Sequence, residues 1–91
     1  MIGHYTATSG TEIRIPRAWS AMVVQTKGVS ALTVEAKTQY ASDYENIGAI
    51  KLSDYSIADI IDSNGLYMID LTGLDFVKFT FSGGSVYYNV E

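Results

Sequence analysis

Apolar and polar residues alternate with a period of two in one segment after another of this chain, the spacing of strands with one buried and one solvated face. Ile13 and Ile15 alternate with Glu12 and Arg14. Pro16 then removes a backbone donor, which confines that point to an edge or a strand end. Residues 19–26 are apolar on both parities, as in a strand covered on both sides or interrupted by a bulge, and Lys27-Gly28 ends them. Leu32, Val34 and Ala36 alternate with Thr33, Glu35 and Lys37. Residues 38–46 lose the alternation and read as a loop carrying Tyr40 and Tyr44, after which 47–52 resume an extended pattern. Ile57, Ile60 and Ile61 have helical spacing, but the segment is short and β-branched, which favours a strand. Asn64-Gly65 reads as a turn, and Tyr67, Ile69 and Leu71 then share one face opposite Met68 and Asp70.

Gly83-Gly84 separates two strand-like runs, 75–82 and 85–91, and a two-residue glycine loop suits a tight hairpin. Its register would place Phe81 opposite Val86, Phe79 opposite Tyr88 and Val77 opposite Val90 on one face. The expected fold is all-β, an antiparallel β-sandwich or jelly roll of seven to eight short strands. A single domain would span residues 1–91, with 1–10 available as an extended N-terminal arm. Its core would hold Ile13, Leu32, Val34, Ile69, Leu71, Val77, Phe79, Phe81, Val86 and Tyr88.

A chain of 91 residues buries only about 60 to 65% of its unfolded surface, so its core is thin. With no cysteine, disulfides and sulfur-ligated metals are excluded, and oligomerisation is the expected reinforcement. One histidine leaves no material for a multi-imidazole metal site. Ten acidic residues against six basic ones disfavour nucleic acid as a partner. No apolar run reaches the roughly 18 residues of a membrane span, and the first residues lack a signal peptide's basic and apolar regions, so no membrane role is expected. The charge is uneven: residues 1–40 carry four basic and two acidic groups, and 41–91 carry two basic and eight acidic. That polarity either orients copies in an assembly or is an ordinary scatter of solvated charge.

His4 has no neighbouring nucleophile or acid in the sequence and reads as a surface histidine. Asp43 and Glu45 could point at one cation, but with only Asn46 beside them they fall short of the six to eight oxygens of a calcium site. No metal, cofactor or catalytic residue is therefore expected, and an enzyme is not. Tyr40 and Tyr44, with Trp19, could form a stacking platform for a sugar or anchors for a protein, or could simply cap the core.

Four segments in order, ALTVEA (31–36), SDYENIG (42–48), NGLYMID (64–70) and LTGLDFVKF (71–79), resemble a class of small β-sandwich proteins of tailed bacteriophages. Those chains run from a T-V-E-x-S strand through an S-x-D-G-x-x-W loop and a G-x-Y-x-I-D strand to G-x-x-Y-V-R-F and a glycine-turned end. Related patterns occur in sugar-binding sandwiches of the discoidin type. Here Tyr44 stands at the loop glycine, residues 45–47 lack the tryptophan, and Lys78 stands at the arginine. The resemblance implies a virion component made in the host cytoplasm and placed on the capsid exterior: a decoration or cement protein, or the base of a head or tail fibre. Its partners would be the major capsid protein or another virion protein and copies of itself, as a homotrimer. The expected interface residues are His4, Tyr5, Arg14, Arg17, Trp19 and Met22. The alternative is a glycan-binding, host-recognition module using the loop of Tyr40, Asp43, Tyr44 and Glu45.

Overall fold

Ten strands and no helix make up the fold over residues 3–91, which the computed structural model describes. One antiparallel sheet, sheet A, orders six of them as β1 (Gly3–Thr6), β10 (Ser85–Val90), β3 (Ala21–Lys27), β8 (Gly65–Asp70), β6 (Ala49–Lys51) and β7 (Ile57–Ala58). Sheet B orders β2 (Glu12–Arg14), β9 (Phe76–Ser82), β4 (Ser30–Lys37) and β5 (Glu45–Asn46). The expected antiparallel sandwich is thus observed. The strands outnumber the seven or eight expected because β5 and β7 are two-residue pairings too short to show an alternation, and because β1 lies where an arm was expected.

The C-terminal glycine turn does not close a hairpin. β9 and β10 lie in different sheets, and Phe79 pairs with Val34 of β4 instead of Tyr88. β10 pairs with β3, Ser85 opposite Lys27, while β9 pairs with β4, Ser82 opposite Ser30. The β3–β4 and β9–β10 stretches therefore form one long two-stranded ribbon, folded over where Gly28, Gly83 and Gly84 take left-handed φ of 66 to 70°. A flat hairpin would leave Val77, Phe79, Phe81, Val86, Tyr88 and Val90 on one face in need of a separate cover. Folding the ribbon lets its two halves cover each other. The Phe79 and Tyr88 rings still meet, 5.9 Å apart, but across the core.

Asn64-Gly65 is likewise no hairpin turn. Asn64 Oδ1 accepts the Gly28 N–H at 2.7 Å and the buried Thr26 hydroxyl donates to Ser63 O at 2.8 Å, so residues 63–64 brace the bend, and Gly65 opens β8. In the segment 56–62, β7 is joined by a single bridge: Ile61 exchanges two 2.8 Å backbone hydrogen bonds with Leu32, tying the edge of sheet A to sheet B. The core is one cluster holding every expected residue except Ile13 and Phe81, which pack against it half-buried. It also holds Met22, Val24, Ile61, Tyr67 and Val90, with the smaller contributions of Ile15, Val29, Ala36 and Ala49.

Candidate functional site

Three surfaces gather the residues of interest. The first is the outer face of sheet B, where alternation brings Glu12 and Arg14 of β2, Lys78 and Phe76 of β9, and Glu35 and Lys37 of β4 to the side opposite the core. The loop before β5 lays Tyr44 across this face. Lys78 Nζ sits 4.2 Å and Lys37 Nζ 5.2 Å from its ring centroid, and its hydroxyl donates to Glu12 Oε2. Lys37 also reaches Glu12 at 3.9 Å, the Arg14 guanidinium stands 5.9 Å over Phe76, and Thr80 donates to Glu35 at 2.8 Å. Partial burial, then the bond to Glu12, pushes the Tyr44 hydroxyl well above the usual tyrosine range. Each charge here meets an opposite charge, a ring or a hydroxyl, so the face is satisfied within the chain.

Of the loop residues, Tyr44 is held by two lysines and a carboxylate, whereas Tyr40 is 95% exposed. Asp43 is exposed in the loop and Glu45 lies in β5 opposite Ala36. Asn46 serves structure: it donates to Asp59 O at 3.0 Å and accepts the Gly48 N–H at 2.9 Å. Among the described residues, no group of three or more histidines and carboxylates converges.

The second surface is a cleft of about 470 Å³ at one end of the sandwich, lined by Ile15, Arg17, Trp19, Thr72, Leu74 and Asp75 among others. Backbone bonds from Ile15 N to Asp75 O (2.8 Å) and from Leu71 N to Ser20 O (3.0 Å) hold its two walls. Trp19 packs on Tyr5 at 5.8 Å, and Tyr5 in turn stacks on Tyr88 at 5.3 Å. The interface residues expected from sequence thus separate. Tyr5, Trp19 and Arg17 gather around this end, Arg14 lies on sheet B, and His4 faces outward on sheet A. Met22 is 0% exposed and belongs to the core, because in β3 the even positions point inward. His4 and Tyr5 form part of β1, hydrogen-bonded to β10, so residues 3–6 are an edge strand and not an arm.

The third surface is the outer face of sheet A, which the sequence reading did not single out. Cross-strand register lines up His4, Asn89, Val23, Met68, Ile50 and Ile57 in one row, and Thr6, Tyr87, Gln25 and Leu66 in the next. Ile57 is 73%, Leu66 48% and Tyr87 45% exposed, and an apolar depression of about 280 Å³ opens beside Ile50, Ile57 and Met68. A signal existed: like residues 19–26, residues 66–69 are apolar on both parities, more than a one-faced strand needs.

No protein-family model matches the chain, and no curated protein matches it. Among solved structures, the crystal structure of the SPBc2 prophage-derived protein YomS is similar, with a TM-score of 0.79 at 16% identity over 97% of this chain and 90% of that one. At that identity the likeness shows a shared fold, extending over nearly the whole of both chains.

Proposed function

We propose that this chain is a structural component of a tailed-phage virion, acting by assembly and not by catalysis. It would decorate or cement the capsid exterior, with the major capsid protein or another virion protein as partner. The observation that carries the reading is the sandwich fold shared with a prophage-derived protein over almost the full length of both chains. Two features support it. The outer face of sheet A presents apolar side chains with no cover among the described residues, as surfaces that meet other proteins do. The charged groups on the outer face of sheet B, and Asp75 beside the cleft, are tied into hydrogen bonds and cation–ring contacts, with no nucleophile–base pair among them. Many symmetric copies, each bound weakly, stabilise a shell through multivalency. The test is electron microscopy and composition analysis of particles assembled with and without the chain. Copies on the particle surface, and shells that break more readily without it, are expected. Its absence from purified virions, with particles unchanged when it is omitted, would refute the reading.

A second reading rests on the cleft of Trp19 and Arg17, where an aromatic edge and a guanidinium share about 470 Å³ of open space, as in a glycan-recognition module of a phage fibre. A glycan array with the Trp19→Ala variant discriminates: specific binding lost in the variant favours this reading over the capsid one.

A further inference from the structure

We propose that the outer face of sheet A docks on the same face of a second copy of this chain, making a two-fold dimer. The proposal concerns the isolated protein and does not depend on the virion reading.

Across β3 and β8, the charges on this face stand only at its two ends. Lys27, opposite Ser85, closes one end, and Asp70, opposite Ala21, closes the other; Glu91 continues the ladder beyond Ala21 at that acidic end. Alternation points Lys27 to the same side as Val23 and Gln25, and Asp70 to the same side as Leu66 and Met68, and both are exposed. Between them lie the two rows of Val23, Met68, Ile50 and Ile57 and of Tyr87, Gln25 and Leu66, which carry no carboxylate, lysine or arginine. The ends are six residues apart along β3, about 20 Å at 3.3 Å per residue.

This pattern is complementary to itself. A two-fold axis lying between the two faces and running across the strands, midway between the Val23–Met68 row and the Gln25–Leu66 row, turns the second copy end for end. Lys27 of each copy then lies over Asp70 of the other, and apolar row meets apolar row. An unrelated partner would need its own matching pattern, whereas a second copy supplies it by symmetry.

The area agrees. Six strands about 4.8 Å apart and central strands about 20 Å long give a face of roughly 24 by 20 Å, so a pair hides on the order of 1,000 Å² in total. That is the lower edge of what a specific pair needs, and it implies a dimer that forms reversibly with concentration. Sheet-on-sheet packing at about 10 Å separation accommodates the Met68, Ile50 and Leu66 side chains of the two rows.

Sedimentation velocity over a concentration series tests this. The wild-type chain should shift from monomer to dimer. Leu66→Glu, at an exposed position, should weaken association by at least about tenfold. Lys27→Glu and Asp70→Lys should each weaken it alone, because each places like charges at both ends of its own dimer. An equimolar mixture of these two variants should recover dimer, since each end of the mixed pair then brings one acidic and one basic side chain together. Circular dichroism checks that each variant folds, and if Asp70→Lys does not, Lys27→Glu and Leu66→Glu still decide. A chain that stays monomeric up to about 1 mM, a trimer, or a mixture no better associated than its components overturns the proposal. So does a monomer whose sheet A face binds only a different virion protein.

Discussion

Gly84 combines two constraints that can be separated by experiment. Its φ is 69°, and a Cβ built there would overlap the backbone of Lys27 and Gly28 on the facing turn. Gly10 has a similar φ of 80° with nothing within 4 Å of its would-be Cβ. Gly10→Ala should therefore cost about 1 kcal/mol from the left-handed backbone alone. Gly84→Ala should cost at least about 2 kcal/mol, lowering the melting temperature by about 10 °C or more, as scanning calorimetry would read. Equal losses would show that the bend relaxes without penalty. Tyr44 makes a pH prediction. Partial burial and the bond to Glu12 raise its ionisation above the ordinary value near 10, and burial raises that of Tyr88 as well. A raised folded-state pKa means that the contribution is fully present below pH 10 and is lost above it, where the unfolded chain gives up the proton first. Stability should fall as pH rises past about 10, and Tyr44→Phe should make that fall shallower. An unchanged alkaline melting curve in the variant would contradict the assigned geometry. Neither residue's role was legible beforehand. Gly84 looked like a turn glycine in any case, and Tyr44's partners lie 7 to 34 positions away in the chain.

At the level of elements, inner faces were legible and neighbours were not. Tyr67, Ile69 and Leu71 point inward as the alternation of β8 requires, and so do Leu32, Val34 and Ala36 in β4. The pairing of β9 with β4 in place of β10 was invisible, because the glycine pair that permits a tight turn equally permits a crossing between sheets. Since the chain lacks cysteine, crosslinks report the pairing cleanly. The double variant Glu35→Cys with Lys78→Cys, a directly paired position, should oxidise readily to a disulfide. Lys78→Cys with Asn89→Cys, opposite each other only in the hairpin register, should stay reduced under the same conditions. The reverse result would restore the hairpin. The β1 edge escaped the sequence reading for a related reason: Gly3–Thr6 offers no apolar alternation, and its strand character comes from β10 alongside it.

For the molecule as a whole, the folded ribbon joins residues 21–37 to 76–90, so all of the ribbon's pairing waits for the closure of the long loop between them. Folding followed by Trp19 fluorescence in stopped flow should fall in the range of about a millisecond to seconds typical of non-local β topologies, and a microsecond phase carrying the full amplitude would contradict it. If the sheet A dimer forms, the melting temperature should rise with protein concentration, and Leu66→Glu should remove that dependence. By itself the sequence determined that the chain makes short antiparallel strands, which side of each longer strand is buried, and that residues 19–26 are more apolar than one buried face requires. These follow from the two-residue period of a strand, a local property written directly in residue order. Only the tertiary structure decided which strands are neighbours, that the glycines turn the chain from one sheet into the other, that Met22 is core, that Tyr44 is held by lysines, and that the surplus apolar side chains lie together on sheet A. Every strand offers the same backbone donors and acceptors along its edges, so alternation selects a face but never a partner; the partner is chosen by which arrangement lets the apolar faces of the ribbon's two halves cover each other.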